Sequence, residues 1–182
     1  MSAVALPATD GRLLFRVPVS GDVDAVLAHA QHEDMSISHW LPIRTGATRD
    51  EAAALTGELV LGWHGAGRHG PVLLVSTRPG DVMIGVVYLP SVGDFELAYG
   101  VAPDYRNQGH ATAAVRMASR WLFETRPHLD HLELLIAPGN GSSRRVAGCV
   151  QLGVRAIARG CRGARLRPGF RTRAGGLRAG GA

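Results

Sequence analysis

Residues 95–112 read Phe95-Glu96-Leu97-Ala98-Tyr99-Gly100-Val101-Ala102-Pro103-Asp104-Tyr105-Arg106-Asn107-Gln108-Gly109-His110-Ala111-Thr112. The first seven suit a β-strand. After Pro103 the period changes, with Ala111, Ala114, Val115, Ala118, Leu122 and Phe123 recurring at helical spacing. Gly109 therefore stands where a turn opens a helix. The first amides of that helix have no intrahelical partner and lie at the positive end of its dipole, which makes the turn a site for a phosphate or pyrophosphate. Gly109 lets the backbone approach closely, Ala111 is small, and Arg106 adds a nearby cation. The Gly-Lys-Ser/Thr of a Walker loop is missing, and so are the three glycines of a dinucleotide fingerprint.

Working outward, residues 71–77 and 82–89 predict a hairpin around Arg78-Pro79-Gly80-Asp81, and residues 95–101 add a third antiparallel strand. A strand at 131–137 follows the helix, so strand, helix and strand form a parallel crossover. Toward the N-terminus, residues 11–18 predict an opening strand stopped by Pro18. Ser20 is placed to cap a helix carrying Val23, Val26, Leu27 and Ala30, and Thr48-Arg49-Asp50-Glu51 has capping-box spacing for a second helix. A last helix starts near residues 140–143.

The chain has 182 residues and suits one domain. No apolar run approaches the roughly 18 residues of a membrane span, and no signal or lipid anchor is visible, so a cytoplasmic protein is expected. Its two cysteines, Cys149 and Cys161, suit free thiols, with Cys149 expected to pack in the last helix. The eight histidines lack a supporting cysteine or carboxylate cluster at ligand spacing, and no metal is expected. The net charge of +5 hides two halves. Residues 1–133 carry ten arginines and all 15 acids, while residues 134–182 carry ten arginines and no acid. Every basic residue is arginine, which points to GC-rich coding rather than a nucleic-acid surface.

Three ordered features resemble the GNAT-type acyl-CoA N-acyltransferases. Arg106, Gly109 and Ala111 match the signature Arg/Gln-x-x-Gly-x-Gly/Ala. Residues 96–103 look like the family's fourth strand, and Asn140-Gly141-Ser142-Ser143 like its Asn-x-x-Ser helix start. The opening strand, the acidic first helix and Trp121-Leu122-Phe123-Glu124 look most like the RimJ/RimL-like branch, which includes ribosomal-protein N-acetyltransferases. The resemblance covers residues 11–147 and implies an α/β (α+β) fold: a mixed, mostly antiparallel sheet with a splayed central strand pair, flanked by helices. It also implies acetyl-CoA as cosubstrate, acetyl transfer to an amine of a protein N-terminus or small molecule by direct attack, no membrane or nucleic-acid partner, and a monomer or homodimer.

By the same resemblance, Tyr99, Gly100 and Val101 would pair with pantetheine as an added strand edge. Arg106, Asn107, Gln108, Gly109, His110, Ala111 and Thr112 would hold the pyrophosphate. Asn140 would contact the cofactor, Ser143 would give a proton to the departing thiolate, and Glu96 would be the base. The bare residues leave alternatives open: Glu96 as a solvent-facing strand residue, Ser143 as a helix cap, Arg106 as a surface charge, Trp40 and Trp63 as core rather than acceptor wall. Strand alternation points Glu96 away from Tyr99 unless a bulge intervenes, as it does in relatives.

Relatives close with an acid, Gly-Phe and two antiparallel strands, whereas this chain reads Gly148-Cys149-Val150-Gln151-Leu152-Gly153-Val154. Leu152-Gly153-Val154 could be a displaced version of that element. We favour a frame shift near Gly148, beyond which no acid occurs, leaving the C-terminal strands missing or altered and an exposed sheet edge. The expected division is a domain at 1–152 and an Arg/Gly/Ala-rich tail at 153–182. A second functional reading is a weak or inactive acyl-CoA-binding domain whose basic tail meets a polyanion such as RNA.

Overall fold

The computed structural model describes residues 6–31, 46–66, 70–89, 95–129, 131–136, 139–150 and 153–156. Strands β1 (Ala8–Thr9) and β2 (Leu13–Arg16) precede helices α1 (Val23–Ala30) and α2 (Arg49–Trp63). The meander follows as β3 (Val72–Thr77), β4 (Met83–Tyr88) and β5 (Glu96–Val101). Helix α3 (His110–Thr125), strand β6 (Glu133–Ile136), helix α4 (Gly141–Val150) and strand β7 (Gly153–Ala156) complete the described chain. One sheet holds all seven strands in chain order. Pairing is antiparallel from β1 to β5 and parallel for β5–β6 and β6–β7. The sequence reading of the meander, the crossover and the mixed, mostly antiparallel sheet is borne out.

Alternation along the strands sends side chains to two faces, each covered by helices. On one face Leu73, Val75, Val87 and Leu97 pack against Ala114, Val115, Ala118 and Leu122 of α3 and Ala147 of α4. On the other, Val72, Leu74 and Val86 meet Val26 and Ala30 of α1 and Ala52, Leu55 and Leu59 of α2. Each fully buried aliphatic side chain of this kind contributes roughly 1.5–3 kcal/mol. A register shift in the β3–β4 pair at Val75/Ser76 sets which face the rest of β4 takes: Val75 pairs with Gly85 but Ser76 with Met83.

Local chemistry explains the helix ends. Thr48 accepts from the Glu51 amide at 3.2 Å while the Glu51 carboxylate accepts from the Thr48 amide at 2.8 Å, the capping box read from sequence. The first helix corrects its expectation. Ser20 begins a short 3-10 turn, Ser20–Asp22, and makes no side-chain cap bond. Asp22 organises this corner instead. Its carboxylate accepts from the Val19 amide at 2.7 Å and from both terminal nitrogens of Arg16 at 2.8 and 2.6 Å.

The C-terminal end also differs. The closing antiparallel strands of relatives are expected to be missing or altered in this chain, and β7 pairs parallel to β6 through all four of its residues, Glu133↔Gly153 to Ile136↔Ala156. A strand reached through one crossover helix lies parallel to its predecessor, and α4 is that helix. Residues 157–182 lie outside the described residues.

Candidate active site

Strands β5 and β6 pair at only two positions, Glu96↔Glu133 and Leu97↔Leu134, although β5 continues to Val101 and β6 to Ile136. Beyond Leu97 the strands part. On its other side β5 stays paired with β4 from Tyr88↔Ala98 to Gly85↔Val101. A cleft of about 990 Å³ occupies the gap, walled by β5, the turn into α3, and the start of α4.

The turn is built as its sequence suggests. Asn107 and Gly109 take left-handed backbone conformations, with φ of 58° and 81°, which bend the chain from a 3-10 turn at Pro103–Tyr105 into α3. No side chain caps α3 at Gly109, so its first amides are left for another acceptor. Gly109, His110, Ala111 and Thr112 all line the cleft. A β-carbon added at Gly109 would meet nothing within 4 Å, so the space above this backbone is open.

Side chains brace the turn from behind. Arg106 lines the cleft and its Nε donates to the Val101 carbonyl at 3.0 Å, tying the turn to the end of β5. His110 is buried, with Nδ1 3.1 Å from the Tyr105 carbonyl oxygen and Nε2 3.5 Å from Arg12 Nη2. Arg12 also reaches the Gln108 carbonyl at 3.4 Å. Sequence reasoning missed this clamp, because Arg12 lies far away in the chain and only the sheet brings it there. Gln108 does not line the cleft, and its side chain folds back to donate to the Asp104 carbonyl at 2.9 Å.

Across the cleft, Asn140 caps α4 by accepting from the Ser143 amide at 3.0 Å. The cap is therefore Asn140 rather than Ser143, whose hydroxyl is left beside Tyr99. The Tyr99 hydroxyl is buried and has no hydrogen-bond partner among the described residues. Burial pushes this phenol above its ordinary range, partly countered by the neighbouring Ser143 hydroxyl. Tyr99, Gly100, Val101, Asn140 and Ser143 all line the cleft.

Glu96 sits apart. It begins β5 outside the cleft lining, and the β4–β5 register shows no bulge, so the bulge implied by the resemblance is absent here. Glu96 thus shares a face with Ala98, the face of α1 and α2, while Leu97 and Tyr99 take the face of α3 and α4. Tyr88, which sequence reasoning passed over, is on the Glu96 face and lines the cleft. Cys149 is exposed and lines the cleft, correcting its reading as a packed thiol. Trp63 packs edge-on against Trp121 at 5.9 Å and donates to the Val72 carbonyl, so its role is packing. Trp40 lies outside the described residues. Among the described residues no three metal-ligating side chains converge, and no helix is long and apolar enough to cross a membrane.

A mixed sheet parted beside an uncapped helix start, with an open strand edge leading inward, is the arrangement that the resemblance implies for an acyl-CoA-dependent transferase. The sequence matches the acetyltransferase (GNAT) domain family over residues 12–150, and the chain belongs to that family. It is an N-acetyltransferase, moving an acetyl group to an amine with acetyl-CoA as cosubstrate. Among solved structures, ribosomal-protein-S5-alanine acetyltransferase from Vibrio fischeri is similar at 19% identity, over 79% of this chain and 80% of that one, with a TM-score of 0.63. RimL, a ribosomal L7/L12 alpha-N-protein acetyltransferase, matches at 15% identity over 78% of this chain and 77% of that one, TM-score 0.56. The microcin C7 self-immunity acetyltransferase MccE, solved in complex with acetyl-CoA and AMP, matches at 8% identity over 81% and 83%, TM-score 0.61. These likenesses show the fold. No curated protein sequence matches the chain.

Proposed function

We propose that the chain acetylates an amine by direct attack, with donor and acceptor meeting through the gap between β5 and β6. The observation that carries this reading is the parting of the two strands after Leu97↔Leu134, with the uncapped start of α3 at the mouth of the gap. The α3 amides and Arg106 suit the diphosphate of acetyl-CoA, and the β5 edge at Ala98, Tyr99 and Gly100 suits its pantetheine. Arg106 already engages the Val101 carbonyl, so the usable edge is shorter than expected. Asn140 spends its side-chain oxygen on the α4 cap and keeps its amide nitrogen for the cofactor.

The cosubstrate supplies an acetyl thioester. The amine nitrogen bonds to the acetyl carbon, the carbon–sulphur bond breaks with its electron pair leaving on sulphur, and the nitrogen loses one proton. Glu96 receives that proton through water, since it stands outside the cleft lining on the α1–α2 face. On the opposite face, the Ser143 hydroxyl beside Tyr99 gives its proton to the departing sulphur and regains one from water. A phenol ordinarily titrates near 10 and a thiol near 8.5, so Tyr99 serves as a hydrogen-bond donor and keeps its proton. The ribosomal-protein substrates of two structural neighbours support a protein N-terminus as acceptor.

Thiol release from acetyl-CoA over a panel of amines and N-terminal peptides tests the reading. Glu96→Gln should abolish most turnover while leaving acetyl-CoA affinity unchanged. Unaltered turnover in that variant refutes the role of Glu96, and binding without turnover on every amine refutes the transferase chemistry.

A further inference from the structure

The cleft holds a second buried phenol that the chemistry above does not use. Tyr88 ends β4, opposite Ala98 on β5 and Val72 on β3. Its hydroxyl is buried with no hydrogen-bond partner among the described residues, although the residue lines the cleft. An orphaned buried hydroxyl costs about 1–3 kcal/mol, and folded proteins retain few of them. Tyr99, the other orphan, faces the α3–α4 side next to Ser143. Tyr88 faces the α1–α2 side with Val86. Glu96 is two residues from Ala98 along β5 and on that same face, which makes it the diagonal neighbour of Tyr88 across the strand pair, with backbones roughly 7–8 Å apart.

From this placement, and resting on the acetyl-transfer reading above, we propose that Tyr88 is a specificity-determining residue whose hydroxyl donates a hydrogen bond to an oxygen carried by the acceptor amine. Burial holds the phenol well above its ordinary range, so it enters the reaction neutral, as a donor. The attacking nitrogen must keep its lone pair for the acetyl carbon and sends its proton toward Glu96. The remaining group able to satisfy the Tyr88 hydroxyl is an oxygen close to that nitrogen. A carbonyl one carbon removed from the amine, or a hydroxyl in the same place, supplies it, and a plain alkylamine does not. A site that leaves a buried donor unpaired with one substrate and pairs it with another discriminates between them.

Three acceptors of similar shape distinguish the sources of that oxygen: alaninamide with a carbonyl, alaninol with a hydroxyl, and 2-aminobutane with neither. In Tyr88→Phe, kcat/KM for at least one oxygen-bearing amine should fall about fivefold to tenfold, the size of one neutral hydrogen bond. The value for 2-aminobutane and the Kd of acetyl-CoA should stay within twofold of the parent. Loss confined to alaninamide identifies a carbonyl partner, and loss confined to alaninol a hydroxyl partner. An equal loss on all three amines, or no loss on any, overturns the assignment while leaving acetyl transfer intact. No thiol release from the unaltered protein with any of the three, while an N-terminal peptide is acetylated, overturns this assignment alone, and none with any amine or peptide overturns both readings. Thermal denaturation of Tyr88→Phe guards against a folding defect, since losing an unpaired hydroxyl should leave Tm unchanged or higher.

Discussion

Gly109→Ala tests the proposed diphosphate site at the start of α3. Gly109 has a φ of 81°, and an added β-carbon would find no atom within 4 Å, so the cost to folding is backbone strain without a clash. An L-residue in that conformation loses roughly 1–2 kcal/mol. In a domain of this size each kcal/mol lowers Tm by about 2–4 °C. Gly46 is the internal control, because its φ is 76° and its surroundings are equally open. Gly46→Ala should therefore lower Tm about as much as Gly109→Ala. The two variants should separate in binding. A methyl over the first α3 amides displaces at least one charge-assisted hydrogen bond to the diphosphate, worth about 1.5–3 kcal/mol. The Kd of acetyl-CoA should rise roughly tenfold to a hundredfold in Gly109→Ala and stay within twofold in Gly46→Ala. Calorimetric titration measures both, and S-acetylpantetheine, which lacks the diphosphate, should bind each variant like the parent. If Gly109→Ala binds acetyl-CoA normally, or weakens both ligands alike, the diphosphate does not lie on these amides.

Three further perturbations follow from the geometry. In Gly85→Ala the new β-carbon would stand 2.3 Å from the Gly100 carbonyl oxygen, backbone that cannot swing aside. Such overpacking costs about 1–3 kcal/mol and displaces β5, so urea unfolding should show the loss and acetyl-CoA affinity should fall with it. Asp22→Asn should destabilise by roughly 3 kcal/mol at neutral pH, because it leaves the Arg16 guanidinium without its carboxylate. Burial opposes the charge on Asp22, but Arg16 and the Val19 amide outweigh it and hold the carboxyl below its ordinary range. Its stabilisation is therefore complete above about pH 4 and is lost as pH falls through the folded-state value, so the gap between parent and variant in urea midpoint should narrow in acid. The exposed Cys149 thiol on the cleft should react with iodoacetamide about tenfold more slowly when acetyl-CoA is present at ten times its Kd. Peptide mapping separates Cys149 from Cys161, and an unchanged rate would place the ligand elsewhere.

The parts of the fold legible in the sequence are those set by local period and punctuation. The helical spacing of Ala114, Val115, Ala118 and Leu122 locates α3, and Thr48 with Glu51 locates the start of α2. The positive φ at Gly109 follows from its place between strand and helix. Most cleft residues were within reach for the same reason, because the turn, the β5 edge and the Asn140 cap each form a continuous run of sequence. What escaped depends on registers between distant segments. Tyr88 faces the acceptor side because of the shift at Val75/Ser76, and no pattern within β4 announces it. Arg12 reaches Gln108 and His110 only through the sheet. Ser20 lost its cap role because the chain already turns at Val19, whose carbonyl takes the Asp22 amide that a Ser20 cap would accept. The parallel placement of β7 depends on which strand follows α4, a property of topology rather than of Gly153–Ala156 itself.

On the proposed reading, the regular β4–β5 register divides the reaction between two faces of one strand. With a bulge, Glu96 could have turned toward Tyr99, and proton removal and thiol departure would share one compartment. Without it, two residues of β5, Leu97 and Ala98, separate a carboxylate on the α1–α2 face from a phenol on the α3–α4 face. The acetyl group must then pass through the plane of the sheet to meet the amine, and a continuous ladder would block it. The two-residue pairing of β5 with β6 removes the block at the level of Ala98 and Tyr99. The far wall of the gap is fixed by α4, which carries Ser143 and is held between β6 and β7 by its own crossover. If Ser143 acts as proposed, β7 bears on catalysis through the position of Ser143, whereas the α3 amides are held independently by β5, Arg106 and the Arg12 clamp.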